Sequence, residues 1–285
     1  MTTLPASAPF DFSASLRFLN RFPPTAGEQR ITTTDLTKAL RAGGTTVVAR
    51  LTADGQDGLA CELHAATPFP EAEAADRLSF HLSLADDLAA FYELGKDDEA
   101  FAPVIDELYG YHQVKFPSPL ENLVWSILCQ RTALPVAAKA KQSIVAEFGN
   151  SLELDGVTYH AFPDLEQLLS LPADRLAALV RNARQAQRLH AALRGWAEVD
   201  ETFLRTAPHP EVRAFLLGLP GIGAWSASFI LVRGLGRMEE TLVDKELRRS
   251  ASRIYGPLPD ERLRALADHY GPWQGYWAHY LRAAT

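Results

Sequence analysis

Cysteine is scarce in this sequence: among 285 residues only Cys61 and Cys129 occur. Two thiols so far apart, with no neighbours at metal-ligand spacing, exclude a disulfide framework and a four-cysteine iron–sulfur cluster built within the chain. No continuous apolar stretch is long enough to span a bilayer. Met1–Ser13 also lacks the basic start and apolar run of a secretory signal, so a cytoplasmic protein is expected. Internal repeats and low-complexity segments are missing too. There is no excess of positive charge: the formal net charge is -7, which taken alone argues against a polyanionic partner. That average hides an asymmetry. Residues 1–110 hold 8 Lys/Arg against 17 Asp/Glu, whereas residues 111–285 hold 20 against 18. The acidity belongs to the N-terminal part, and the rest is near neutral.

What is present is an ordinary globular composition, 47% apolar, with a length that favours two domains. Thr45–Leu51, Leu59–Ala65 and Leu78–Leu84 carry short runs of alternating or branched apolar residues. Turn signals at Ala53-Asp54-Gly55 and Pro68-Phe69-Pro70 separate them, which predicts antiparallel strands. From Asp98 onward the spacing becomes helical. Leu120, Leu123, Val124, Ile127 and Leu128 form one stripe, Val136, Ala140, Ile144 and Phe148 a second, and Leu176, Leu179 and Val180 a third. The expected class is α+β: an N-terminal antiparallel β domain with flanking helices over residues 1–110, then an all-helical domain over residues 111–285. The boundary is placed near Tyr109-Gly110-Tyr111, and Pro117-Ser118-Pro119 opens the next helix.

Within the helical half, Pro210–Gly218 and Ala224–Leu235 predict two helices joined by the turn Leu219-Pro220-Gly221-Ile222-Gly223. Glycines at 221 and 223 permit positive φ and remove side chains, so backbone N–H groups opening the second helix can approach a phosphate closely. Taken alone, a Gly-x-Gly corner equally serves any packed helix–turn–helix. About twenty residues later, Leu242-Val243-Asp244 leads into a predicted helix over Lys245–Tyr255 carrying Arg248, Arg249 and Arg253. The acidic pairs Asp86-Asp87 and Asp97-Asp98-Glu99 fit solvated helix flanks better than a metal site. His209, His269 and His279 show no metal-ligand spacing and receive no role.

The stretch Leu219–Ala227, then Val243-Asp244 with Leu247 and Arg249, resembles the helix-hairpin-helix and Gly-Pro-Asp signature of the DNA base-excision glycosylases. Ile127-Leu128-Cys129-Gln130-Arg131-Thr132 and the segment Leu179–Leu189 with Arg181, Arg184 and Arg188 also look like that superfamily. Pro9-Phe10-Asp11-Phe12-Ser13 with Leu16 and Phe18-Leu19 is similar to the start of the β domain of the DNA-3-methyladenine glycosylase II subfamily. The resemblance implies an enzyme of DNA repair that acts as a monomer on double-stranded DNA containing alkylated bases.

Asp244 matches the family's catalytic aspartate; an Asp before a helix is also an ordinary N-cap, and the two roles can coexist. Trp225 stands where the bifunctional relatives place a Schiff-base lysine, so the resemblance implies release of the base without strand cleavage. Trp225, Phe229, Phe18 and Lys245 match positions of the base pocket, with Lys245 where an aromatic residue is usual. An aromatic pocket suits cationic bases of the 3-methyladenine and 7-methylguanine type through cation–π stacking. Trp273, Trp277 and Arg282 are candidates for the pocket's C-terminal wall. Gly221, Gly223, Ala224, Gln130, Arg131 and Arg249 match DNA-contacting positions, Arg131 at the wedge that fills the gap left by an extruded base. A monovalent cation, Na+ or K+, held by the backbone carbonyls of Leu217, Leu219 and Ile222 is implied as well, with no other cofactor. Two alternatives stand beside this reading: a glycosylase for hypoxanthine or oxidised bases, and a non-catalytic DNA-binding protein that keeps the hairpin as a phosphate clamp.

Overall fold

The computed structural model describes residues 2–25, 27–55, 58–241 and 243–284. Met1, at the start of the segment scanned for a signal, and Leu242, in the motif before Asp244, lie outside the described residues.

Five strands build an antiparallel sheet: β1 (Thr2–Pro5), β2 (Gln29–Ile31), β3 (Asp35–Ala42), β4 (Thr45–Ala53) and β5 (Gly58–Ala65), in the order β1-β5-β4-β3-β2. Helix α1 (Phe12–Leu19) joins β1 to β2; Asp11 caps it by accepting the Ser13 N–H at 2.8 Å. The register pairs Leu36 with Leu51 and Leu40 with Val47, so one face of β3 and β4 presents Leu36, Leu40, Val47, Ala49 and Leu51 to the core. The opposite face carries Ala39 and Val48.

After the sheet, the expected strand over Leu78–Leu84 is instead the end of α2 (Glu71–His81) and a turn. Its Leu-Ser-Phe-His-Leu-Ser-Leu alternation fits either period. The helix formers of Glu71–Arg77 decide the matter by carrying Ala74, Leu78 and His81 onto one buried face. Then come α3 (Ala89–Lys96) and α4 (Ala102–Glu107).

The helical half runs through α5 (Pro119–Leu128) and α6 (Leu134–Phe148), then a hairpin of β6 (Ser151–Leu154) and β7 (Val157–His160). This hairpin corrects the expectation that residues 111–285 are all helical. It covers the second face of the sheet, where Tyr159 and Ala161 pack on Ala39 and Val48, and Arg41 Nε reaches Asp164 at 2.9 Å. Next follow α7 (Leu165–Ser170), α8 (Ala173–Val180), α9 (Ala183–Trp196), α10 (Glu201–Thr206), α11 (His209–Gly218), α12 (Ala224–Phe229), α13 (Lys245–Tyr255), α14 (Asp260–His269) and α15 (Gln274–Ala283). In α6 the buried stripe is Ala137, Ala140 and Ile144, while Val136 stays 58% exposed.

Two apolar cores result, and they cross the proposed division at residue 110. One takes residues 4–114 together with Met238 and α13–α15; the other takes residues 116–235. The C-terminal helices are thus built into the N-terminal core, and polar bonds fix them there. Tyr255 and Tyr270 donate to Asp98 Oδ2 at 2.6 and 3.0 Å, Tyr276 donates to Asp86, and Trp277 Nε1 donates to Tyr255 Oη at 2.9 Å. Asp86 and Asp98 are therefore anchors for α13–α15, not solvated flanks. Among the described residues no group of three or more His, Cys, Asp or Glu side chains could hold a metal, and no helix is long and apolar enough to cross a membrane.

Candidate active site

The hairpin forms as the glycines require. Helix α11 ends at Gly218, Leu219 is extended, and Gly221 turns the chain at φ +81° with Arg188 packed beside it. A Cβ on Gly221 would meet Arg188 carbons at 3.2 to 3.3 Å, and an L-residue would also carry the cost of the left-handed backbone. Gly223 differs from expectation. Its backbone is extended, at φ -98° and ψ -179°, and a Cβ there would meet nothing within 4 Å, so it caps α12 facing open space. The second helix is not regular: α12 stops at Phe229 and passes into a π-helical turn over Ile230–Gly234, the wide turn that carries Val232 and Arg233.

Asp244 caps α13. Its Oδ1 accepts the Leu247 N–H at 2.8 Å and an Arg282 Nη2 hydrogen at 3.3 Å, while Oδ2 has no partner among the described residues. Its side chain is 29% exposed, at the edge of a cavity of about 400 Å³. Phe18, Phe22, Trp225 and Phe229 supply the apolar wall of that cavity, and Gln113, Arg233, His279 and Arg282 the polar part. Trp225 and Phe229, one helical turn apart, stack with ring centroids 5.0 Å apart and planes 12° from parallel. Trp225 is 43% exposed, unusual for an indole unless something covers it. Phe18 packs edge-on against His279 at 5.7 Å, and the Arg233 guanidinium lies 4.8 Å over the Phe18 ring.

Of the residues singled out in the sequence, Asp244, Trp225, Phe229 and Phe18 meet in this cavity. Lys245 does not: it is exposed at the start of α13 and absent from the lining, whereas the next residue, Glu246, is part of it. Among the C-terminal candidates only Arg282 reaches the cavity; Trp277 is wholly buried in the core. Gln130 is occupied as well. Its Nε2 donates to the Gly221 carbonyl at 2.8 Å, stapling the loop after α5 to the hairpin turn. Next to it, Arg131 is exposed in a left-handed backbone conformation, φ +52°. Ala224 and Arg249 are exposed, as are Arg181, Arg184 and Arg188.

Sequence reasoning missed Gln113, Arg233 and His279. His279 was set aside for lack of metal spacing, and nothing in the pattern around Arg233 announces a π-helical turn. Burial shifts the titration of the arginine and the histidine. The Arg233 guanidinium is pushed down to about 10 by desolvation, and His279 falls well below the usual histidine range, first from burial and then from the neighbouring Arg233 and Arg282 charges. At neutral pH the arginine is charged and the imidazole is not. A second cleft, about 480 Å³, opens between the sheet and the helices, but none of the hairpin residues lines it.

No family model matches the chain. Among curated proteins, it is 28% identical over 207 residues to the DNA-3-methyladenine glycosylase of Bacillus subtilis, covering 70% of this chain and 67% of that protein. It is 30% identical over 162 residues to DNA-3-methyladenine glycosylase 2 of Escherichia coli, where the match spans 55% of this chain and only 54% of the relative. Among solved structures, the 3-methyladenine DNA-glycosylase from Archaeoglobus fulgidus shares the fold over 99% of this chain and 97% of its own, with a TM-score of 0.80 at 21% identity. With the hairpin, the capped Asp244 and the α+β frame, the chain is thus similar in sequence to DNA-3-methyladenine glycosylases and shares the fold of a solved one.

Proposed function

We propose that this protein is a monofunctional DNA glycosylase of base excision repair. It acts as a monomer, extrudes an alkylated base of the 3-methyladenine or 7-methylguanine type from duplex DNA, and hydrolyses its N-glycosidic bond. One observation carries the reading: the open Oδ2 of Asp244 and the stacked Trp225–Phe229 pair border the same 400 Å³ cavity. The cavity is of a size to hold a purine, the indole offers a π-face to a base, and the carboxylate beside it stabilises positive charge as the sugar bond breaks. Duplexes bearing single lesions, treated with alkali after incubation, test this directly. Breaks above those of a protein-free control given the same alkali are expected at 7-methylguanine, with none at undamaged guanine; no break above the control at any alkylated base contradicts the reading.

The DNA grip follows from the hairpin. The exposed Gly223 and Ala224 open α12, so their backbone N–H groups suit a phosphate, and Gly221 supplies the turn. The carbonyls of Leu217 and Ile222 accept no hydrogen bond among the described residues, whereas that of Leu219 accepts the Ile222 N–H at 3.1 Å and keeps one lone pair. These carbonyls fit a monovalent cation, which would add positive charge where the phosphate docks. Arg249 and the exposed arginines of α9 extend the cationic face.

Arg131 acts as the wedge: exposed, held by the Gln130 staple, and planar enough to stack in the vacated space. Arg131→Ala is expected to slow excision from fully paired duplex about tenfold while leaving release from an unpaired lesion within about twofold, the difference being the cost of unstacking. Equal losses on both substrates exclude the wedge. Trp225 has no amine, so no Schiff base forms on α12. Borohydride added during turnover is expected to trap no covalent protein–DNA adduct on denaturing gels; a trapped band identifies a lyase.

A further inference from the structure

We infer that Arg233, with Gln113 and His279, forms a donor-rich floor that biases the pocket toward damaged bases carrying no formal charge, with Arg233 as the specificity-determining residue. This deepens, and rests on, the glycosylase reading. Three observations converge. Both atoms of the Gln113 amide lack a partner although the residue is 0% exposed, and Gln113 lines the cavity. Arg233 Nη2 is buried without an acceptor, and no carboxylate lies within ion-pair distance of this guanidinium among the described residues. His279 Nε2 is likewise buried and unpartnered, while its Nδ1 faces Arg233 Nη1 at 3.4 Å.

The histidine's tautomer follows from that contact. A guanidinium only donates, so Nδ1 accepts and the neutral ring carries its proton on Nε2. The floor therefore presents an arginine N–H, an imidazole N–H and an amide. Leaving such groups unpaired in a buried site is costly, and a ligand edge that accepts hydrogen bonds relieves the cost. A base alkylated on a ring nitrogen has lost one acceptor and gained a positive charge beside a desolvated guanidinium. An uncharged purine such as hypoxanthine keeps its exocyclic oxygen and its ring nitrogens as acceptors. The stacked Trp225 and Phe229 serve both classes by their faces, so discrimination falls to the edge.

The test compares single-turnover base release from two duplexes, one with hypoxanthine and one with 7-methylguanine, and reads how the ratio of the two rates changes from wild type to variant, a comparison in which their different intrinsic lability cancels. Arg233→Met keeps an unbranched stem in the π-helical turn and removes the charge that lies over Phe18. It is expected to raise the 7-methylguanine to hypoxanthine ratio at least tenfold. Gln113→Met, close to glutamine in length, is expected to raise the 7-methylguanine to hypoxanthine ratio at least fivefold, and it keeps the question answerable if Arg233→Met folds poorly. Unchanged ratios, or parallel losses on both duplexes, overturn the floor as a selector. Release of neither base by the wild-type protein is a different failure, that of the glycosylase reading itself.

Discussion

Asp244→Asn is expected to remove base release almost completely while the protein stays folded. Asparagine caps a helix as well as aspartate does, so the Leu247 N–H keeps its acceptor. The Arg282 contact, 3.3 Å long and with both side chains more than a quarter exposed, loses its charge but is worth at most about 1 kcal/mol. The glycosidic bond, in contrast, loses the carboxylate that caps α13 at the edge of the aromatic cavity. Removing one preorganised electrostatic stabiliser typically costs on the order of 10²–10³ in rate. Single-turnover base release should fall by at least that factor, with circular dichroism and melting close to wild type. Release near the wild-type rate would leave Asp244 as a helix cap and nothing more.

The largest expected stability loss lies away from the chemistry. Lys141 is 1% exposed; its Nζ donates to the Pro24 carbonyl at 2.8 Å and pairs with Glu28 and with Glu121, the latter at 2.9 Å. It ties the segment carrying Phe22 and Pro23, part of the pocket wall, to α5 and α6. Lys141→Met leaves two buried carboxylates with only the neighbouring Lys38 to offset them among the described charges, and breaking a buried pair in this way costs about 3–5 kcal/mol, roughly a 10 °C fall in melting temperature for a chain of this size. The pH dependence has a definite sign. Burial already raises the Glu28 carboxyl above its ordinary value, and loss of the ammonium raises it further. The folded variant then binds more protons than the unfolded chain, so its deficit relative to wild type should shrink as pH falls from 7 toward 5. A deficit under about 1 kcal/mol, or one that grows in acid, would show that the cluster is solvated.

Local chemistry made the hairpin, the Asp244 cap and the helix over Lys245–Tyr255 legible in the sequence, because each is written in residues close together: Gly221 for a left-handed turn, Asp244 for a cap, alternating apolar positions in β4. What was not legible depends on distant partners. The end of α2 follows a helical period only because Leu78 and His81 have a core to face. The β6–β7 hairpin is too short to announce itself and gains its place from Ala39 and Val48, over a hundred residues upstream. Lys245 follows the motif but stays out of the cavity lining, and Gln130 is spent on Gly221. Arg233 and His279 enter the site because a π-helical turn and the docking of α15 bring them there, and neither event has a short-range signature.

The most direct test of the central claim is mass-spectrometric detection of the free base released from a duplex holding one 7-methylguanine, with the strand analysed before and after alkali. The structure predicts free 7-methylguanine in solution, an intact strand before alkali, and a break at that position afterwards. Absence of the free base, or a strand already cut before alkali, would contradict it.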